Sequence, residues 1–310
     1  MCGIGAFQIV GGECDPRMVA QHLLRLLEVR GRDASGVAWH SADGETYIQK
    51  AALAGSVLAR QLDDNIGTTG IVHTRWATQG SPKHEVNNHP IDASGVVGVH
   101  NGHCSNDNEL IRMCEGYKRK GEVDSEAIFA LIAHGPKNLK LRQRLAKVRG
   151  GAALFWLRTG DAKQRLHVAR LQSSPLVLGM TKGGSIIGAS TESIVREVAK
   201  RCKVQLDVVH VLPEGTYMRC ENGSIAETQK VELVREWKFS LPDYTKRSTF
   251  SAPATRQDLP KPQSEADELT LELLLEAEIE QEIADRLETD TLRDAMDRQF
   301  GMGRYGDRRW

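Results

Sequence analysis

The chain has 310 residues, of which 40% are hydrophobic, so it is long enough for one large domain or two ordinary ones with a substantial core. Lys plus Arg and Asp plus Glu both number 41, and the zero net charge excludes a global electrostatic attraction to nucleic acid or to an acidic membrane surface. No apolar run approaches the roughly 20 residues that span a bilayer, and the N-terminus lacks the basic and apolar pattern of a signal peptide.

Helical and strand-like patterns alternate through the first half of the chain. Apolar residues recur near a 3.6-residue period in 16–30, which predicts a helix packed along one face. The runs 68–78 and 95–102 are typical of buried strands that lead into polar loops. A helix is then predicted to begin near Asp124 and to stop at Gly135.

The second half contains mostly short strand patterns. Four strand candidates follow one another at turn-separated spacing, in 150–157, 165–171, 175–180 and 184–190. Residues 195–202 predict a short helix, and 204–223 predict strand, turn and strand with Asn222-Gly223 as a hairpin turn. Two groups of strands with helices between them predict two sheets covered by helices, rather than a doubly wound parallel sheet.

The composition changes after a globular domain that we expect to span 2–238. Segment 239–263 is rich in Pro, Ser, Thr and charge without an apolar period, which predicts a linker. Segment 264–290 predicts an acidic amphipathic helix, in which acids outnumber the single base, Arg286, by ten. It is either a solvated acidic helix or local coiled-coil segment, or a helix that docks a partner. A flexible tail is predicted for 291–310.

The opening segment MCGIGAF places Cys2 directly after the initiator methionine. Removal of methionine before a small residue would leave Cys2 with both a thiol and a free α-amine. The amine, with an ordinary pKa of about 8, can accept a proton from a thiol with an ordinary pKa of about 8.5. Nucleophile and base would then belong to one residue. The alternative is a second-position cysteine without any role.

The remaining cysteines form no Cys-x-x-Cys pair and have no zinc-ligand spacing with histidine. A disulfide framework is not expected in a long chain with so few cysteines, so we expect reduced thiols and a cytoplasmic protein. These cysteines are Cys14, Cys104, Cys114, Cys202 and Cys220.

Four further polar or glycine positions follow buried runs or begin a helix. Arg75 follows an apolar run, where its guanidinium can bind a substrate carboxylate through two parallel hydrogen bonds (bidentate binding) or pair with an internal acid. Asn101 and Gly102 end another apolar run, as an ordinary turn or as an oxyanion hole. Asp124 is either a helix-capping aspartate or an anion that binds a substrate ammonium. With the thiol of Cys2, these residues fit glutamine, which has an α-amine, an α-carboxylate and a reactive carbonyl.

The sequence resembles the class II, N-terminal nucleophile, glutamine amidotransferases over roughly residues 2–230. Within that family it is most similar to the glutaminase domain of glucosamine-6-phosphate synthase. The motifs occur in family order: MCGIGAF, RGRDASGVA, HTRWATQG, EVNNHP, VVGVHNG, VDSEAI, LQSSPLVLG and IIGASTES. The resemblance implies an α+β fold, a four-layer αββα sandwich with a linker and helical tail behind it.

The resemblance also implies a role for each matching residue. Cys2 would be the nucleophile, with its α-amine as the base. Arg75 would hold the carboxylate of glutamine and Asp124 its α-amine. Asn101 and Gly102 would form the oxyanion hole.

Neighbouring positions complete the implied site. Trp76 and Thr78 would shape the loop that holds the carboxylate, and Arg30 and Gly31 would hold the N-terminal strand beside the nucleophile. Gln79 departs from the histidine that the most similar relatives usually have in this mobile loop, a departure that bears on the kinetics of loop closure rather than on activity. Two further departures follow the oxyanion pair, where apolar residues are commoner, at His103 and Cys104.

The expected function is therefore a glutaminase half that hydrolyses glutamine to glutamate and ammonia through a cysteine thioester. It would need no metal or organic cofactor. No pattern of an ammonia-accepting module follows residue 235, so the ammonia would go to a synthase on a separate chain. Two alternatives remain open: a silent glutamine-binding or regulatory subunit of the same fold, and an N-terminal cysteine hydrolase that acts on another amide.

Overall fold

The computed structural model describes residues 2–42 and 44–233. The predicted linker 239–263, acidic helix 264–290 and tail 291–310 lie outside these residues, as does the expected end of the globular domain at 238. No helix in the described part is long and apolar enough to cross a membrane.

Thirteen strands are present in the described residues, and every pairing between them is antiparallel. In chain order they are β1 (Gly3–Gln8), β2 (Ala34–His40), β3 (Thr46–Ala51), β4 (Thr69–Arg75), β5 (Ile91–Asp92), β6 (Val96–Gly102), β7 (Ala152–Arg158), β8 (Leu166–Arg170), β9 (Val177–Thr181), β10 (Ile186–Ala189), β11 (Leu206–Val211), β12 (Thr216–Glu221) and β13 (Ser224–Lys230). The first sheet has the order β11-β9-β10-β1-β4-β2-β3, and the second has the order β13-β12-β8-β7-β6-β5.

Six α-helices of the described residues lie outside or between these strands. They are α1 (Pro16–Leu27), α2 (Gly55–Leu58), α3 (Asp107–Arg112), α4 (Ser125–His134), α5 (Leu141–Leu145) and α6 (Glu192–Arg201). Single 3₁₀ turns occur at Glu28–Arg30 and Glu85–Asn87. Helix α1 begins where the Asp15 side chain accepts a hydrogen bond from the Arg17 N–H at 2.9 Å, with Pro16 in the first turn.

Three apolar clusters show how these elements stack. One cluster joins α1 and α6 to the first sheet and contains Leu23 and Val195. A second joins α4 to the second sheet and contains Phe129. A third lies between the two sheets and contains Ile4 and Phe155. The order helix, sheet, sheet, helix is the predicted αββα sandwich, so the fold prediction is confirmed.

Strand β1 occupies the centre of the first sheet, between β4 and β10. Gly3 pairs with Thr74 on β4, and Gly5 pairs with Ala189 on β10. A Cβ on Gly3 would lie 2.6 Å from the Thr74 Oγ1 and 2.9 Å from the Leu27 Cβ. Only glycine therefore allows the start of this strand to pass between β4 and α1.

Most predicted elements are present, with shifted ends. The helix predicted for 16–30 ends as an α-helix at Leu27, and the helix near Asp124 stops at Gly135 as expected. The helix predicted from 195 begins earlier, at Glu192. The strands at 68–78 and 95–102 are β4 and β6.

The segment 204–223 differs from a simple local hairpin. Its two strands, β11 and β12, belong to different sheets, because the connection between them crosses from one layer to the other. The Asn222-Gly223 turn is present, with both φ angles positive, but it joins β12 to β13.

We expect Phe155→Ala to lower the free energy of unfolding by about 3–5 kcal/mol, because the buried ring fills the space between the sheets and packs against Gly188. Urea unfolding measures the change. Ile225→Ala, at a side chain that is 39% exposed on β13, should alter it by less than about 0.5 kcal/mol. Equal losses in the two variants would contradict the assignment of Phe155 to the inter-sheet core.

Candidate active site

A small pocket brings together most of the residues that the sequence analysis selected. Its lining comprises Cys2, Arg75, Trp76, Thr78, Gln79, His89, His100, Gly102, Val123, Asp124 and Ser125. The cavity volume is about 30 Å³, which is room for a water or two and not for an amino acid. A larger groove of about 310 Å³ lies elsewhere, beside α5 and the end of β13, and contains none of the predicted site residues.

Cys2 reaches the pocket because it directly precedes the central strand β1. Its Sγ lies 3.7 Å from the Trp76 carbonyl oxygen, to which the thiol donates. The Arg30 Nε donates to the Cys2 carbonyl oxygen at 3.1 Å, and this hydrogen bond fixes the backbone of Cys2. Burial raises the pKa of the Cys2 thiol, and the charge of Arg75 acts in the opposite direction.

Gly31 permits a close approach of two backbone segments next to Cys2. A Cβ at this position would lie 2.3 Å from the Arg75 carbonyl carbon and 2.4 Å from the Trp76 nitrogen. Its φ of 177° is ordinary extended backbone, so the requirement for glycine here is steric and not conformational. Gly31 and Arg30 thus support the pocket from behind without lining it.

Asn101 and Gly102 end β6 in the second sheet; Gly102 lines the pocket, whereas Asn101 lies directly before it and is not among the lining residues. Asn101 is 2% exposed, and its side-chain Nδ2 has no hydrogen-bond partner among the described residues. Gly102 has a φ of +143°, and a Cβ there would lie 2.0 Å from the Gly151 carbonyl oxygen. A buried amide donor that lacks a partner is free to stabilise a developing oxyanion.

Asp124 precedes α4, but its side chain makes no capping hydrogen bond to that helix. The carboxylate instead accepts from the Cys104 backbone N–H at 2.6 Å and lies 3.4 Å from the His103 Nδ1. Asp124 therefore occupies the N-cap position of α4, as one interpretation expected, but its carboxylate bonds the loop after β6 and lines the pocket instead of capping the helix.

Arg75, at the end of β4, holds the loop that follows it. Its Nη1 donates to the Asn88 Oδ1 at 2.8 Å. Its Nη2 donates to the carbonyl oxygens of Gln79 and of Gly80, the second at 2.7 Å. No carboxylate of the described residues lies within salt-bridge distance, so pairing with an internal acid is not what places this guanidinium.

The loop 76–82 is closed over the pocket by further hydrogen bonds. The Ala77 N–H donates to the Asp33 carboxylate at 2.7 Å, and the Gln79 Nε2 donates to the Glu122 carbonyl oxygen at 2.7 Å. Trp76 presents an indole that is 56% exposed. Gln79, the departure noted in the sequence, is thus the side chain that ties this loop to the segment before α4.

Three buried histidines lie at the pocket, and the sequence pattern assigned none of them a role: His89 and His100 line it, and His73 lies behind His89. His73 and His89 stack with ring centroids 4.1 Å apart, and the His73 Nε2 lies 3.3 Å from the His100 carbonyl oxygen. The His100 Nδ1 lies 2.8 Å from the Ser125 Oγ. All three stand in segments already quoted, HTRW, NNHP and VHNG, but their burial depends on the stacking of the two sheets.

The chain was compared with family models, curated proteins and solved structures, and no family model matches it. The glutamine–fructose-6-phosphate aminotransferase of Pyrococcus horikoshii is 36% identical over 197 residues, 59% of this chain and 31% of the relative. The enzyme of the same name from Vibrio parahaemolyticus is 32% identical over 246 residues, 75% of this chain and 36% of the relative. The chain thus spans about a third of the length of these curated relatives.

A solved structure resembles the fold. Glutamine phosphoribosylpyrophosphate amidotransferase from B. subtilis aligns with a TM-score of 0.60 and 18% identity, over 75% of this chain and half of the other. At that identity the likeness concerns the fold alone.

The burial of His73 has a measurable consequence for stability. Burial lowers the pKa of His73 to about 3, whereas an unfolded histidine titrates at about 6.5. Between these values the unfolded chain binds one more proton than the folded chain. The free energy of unfolding therefore falls as the pH falls, by up to about 1.4 kcal/mol per pH unit. We expect His73→Phe to lose this part of the slope between pH 6 and 4 in urea unfolding, and equal slopes would contradict it.

Proposed function

Because this chain belongs to the class II, N-terminal nucleophile, family of glutamine amidotransferases, we propose that its Cys2 pocket hydrolyses glutamine to glutamate and ammonia. The observation that carries the proposal is the convergence of Cys2, Arg75, Gly102 and Asp124 on one pocket. A thiol beside an oxyanion donor, with a cation and an anion nearby, matches the carbonyl, the carboxylate and the ammonium of an amino acid amide.

The proposed reaction begins with transfer of the Cys2 proton. Since burial favours the neutral thiol, a base has to accept that proton, and the α-amine exposed by removal of Met1 is on the same residue. The thiolate attacks the γ-carbonyl carbon, and the C=O electron pair moves to the oxygen. The Asn101 amide and the Gly102 N–H hold this oxyanion.

Collapse of the tetrahedral intermediate completes the first half of the proposed cycle. The carbon–nitrogen bond breaks, and the protonated α-amine gives its proton to the departing ammonia. A γ-glutamyl thioester remains on Cys2. Water then attacks the thioester, releases glutamate and regenerates the thiol, so no metal or organic cofactor takes part in this half-reaction.

Substrate binding requires a rearrangement of the loop 76–82. The cavity of about 30 Å³ is too small for glutamine, and Arg75 is bonded to the carbonyl oxygens of Gln79 and Gly80. We propose that the loop opens and that the α-carboxylate replaces these oxygens on Arg75. Thr78 and Trp76 would then close over the bound carboxylate, and Asp124 would bind the α-ammonium.

The ammonia released in this half-reaction needs an acceptor. We propose a synthase on a separate chain as the acceptor, with the acidic segment 264–290 as the element that docks it; its support is the acidic, helix-favouring composition of that segment. Recovery of the same synthase by the full chain and by a chain without 264–310 would contradict the docking role.

We expect Cys2→Ala to abolish glutamate release from glutamine, because no other residue would supply the nucleophile. A coupled glutamate assay on the protein with Met1 removed measures this, and Cys14→Ala should keep the wild-type rate. An N-terminal extension that is not removed should also abolish release, since it blocks the α-amine. Full activity of the extended protein would exclude the α-amine as the base.

We expect Asn101→Ala to lower kcat by about 10²–10³-fold with little change in KM, because the oxyanion forms only after substrate has bound. Steady-state kinetics with glutamine measure both constants. Asn108→Ala, at an exposed asparagine beyond the pocket, is the matched control and should leave kcat unchanged. A large rise in KM with constant kcat would place Asn101 in substrate binding instead.

A further inference from the structure

His89 is a buried imidazole at the pocket whose hydrogen-bonding capacity is unused. Its side chain belongs to a residue that is 4% exposed, and the residue lines the pocket. Both ring nitrogens are buried, and neither has a partner among the described residues. A buried donor and acceptor without protein partners destabilise the folded state, so a ligand group that reaches them from the pocket gains a hydrogen bond that the protein does not supply.

The surroundings of His89 hold it in one position. Lys50 donates from its Nζ to the carbonyl oxygens of Asn88, at 2.8 Å, and of Pro90, at 3.1 Å, which fixes the backbone on both sides. The imidazole stacks on the ring of His73 with centroids 4.1 Å apart and planes 19° from parallel. A ring fixed by its backbone and by stacking is prepared to bind rather than loosely packed.

The imidazole is neutral, so it offers one N–H donor and one lone pair. Burial holds the pKa of His89 well below its usual value, and the charges of Arg75 and Lys50 act in the same direction. A neutral ring can donate to an anion without adding a third fixed positive charge to this side of the pocket.

The contacts place His89 at the Arg75 end of the pocket. Arg75 bonds the side chain of Asn88, the residue directly before His89. Three of the five guanidinium N–H groups of Arg75 are used by Asn88, Gln79 and Gly80, and both on Nη2 are among them. While the loop is closed, Arg75 has no free pair of N–H groups for bidentate binding of a carboxylate. When the loop opens and frees the Nη2 hydrogens, a carboxylate on Arg75 still has lone pairs left that can accept from a further donor.

From these contacts we infer that His89 is a substrate-binding residue, whose ring N–H donates to the α-carboxylate of glutamine beside Arg75. The inference rests on the proposed function and assigns one end of the amino acid to a residue that the motif analysis left without a role. His89 would thus bind the carboxylate end of glutamine, whereas Asp124 would bind the ammonium end.

Ligands that lack one end of glutamine test this assignment. Binding is measured by calorimetry on the full chain carrying Cys2→Ala, so that no ligand is consumed. The ligands are L-glutamine, glutaramate, which lacks the α-amine, and 4-aminobutanamide, which lacks the α-carboxylate. His89→Phe keeps a ring that can stack on His73 and removes both nitrogens.

We expect His89→Phe to weaken glutamine and glutaramate about ten-fold or more and to leave 4-aminobutanamide within two-fold. Asp124→Asn should do the reverse: it should weaken 4-aminobutanamide, which keeps the amine, and leave glutaramate, which lacks it, nearly unchanged. His167→Phe is the matched control, because His167 is also buried and stacked, on Trp156 in the second sheet, and lies outside the pocket. It should leave all three affinities unchanged.

The outcomes separate this inference from the proposed function. If Cys2→Ala binds no glutamine, both are overturned. If it binds glutamine but His89→Phe weakens all three ligands equally or none of them, only the role of His89 is overturned. Should His89→Phe not fold, as judged by its melting temperature, His89→Leu is measured in the same way against the same ligands, and the same criterion decides.

Discussion

The site depends on one constraint, the placement of Cys2 directly before the central strand of a sheet. Strand β1 is hydrogen-bonded on both sides, to β4 and to β10. Gly3 and Gly31 leave room for β4, α1 and the start of the loop after Arg75 to approach the strand closely. Cys2 is therefore held in one pocket with Arg75, and the stacking of the second sheet brings Gly102 to the same pocket.

The sequence predicted the parts of the fold that depend on local pattern. Helix α1 follows from its apolar periodicity, and α4 follows from its start and stop residues. The Asn222-Gly223 turn follows from two residue types that tolerate the positive φ angles found there. Strands β2 and β3 were not predicted, because the first lies inside a motif and the second is half-exposed at a sheet edge. The separation of β11 and β12 into different sheets is a property of layer packing, which no local pattern records.

The candidate site shows the same division. The residue types at Cys2 and Asp124 indicated their chemistry, and both reach the pocket. What the sequence could not show is how Arg75 is held, because its partners lie in a loop whose closure depends on Gln79 and Glu122. His89 escaped notice for a related reason: a histidine before proline has no special pattern until its burial and its missing partners are known.

The hydrogen bonds of Arg75 to its own loop have a consequence for affinity. An anion that binds this guanidinium exchanges for carbonyl oxygens that are already bonded, so its affinity reflects the difference between two sets of bonds and not the strength of one. Substitutions that stabilise the closed loop in the ligand-free protein would weaken ligand binding, and those that destabilise it would expose the Cys2 thiol to water. Loop stability and ligand affinity are thus opposed, and the sequence of the loop sets the compromise between them.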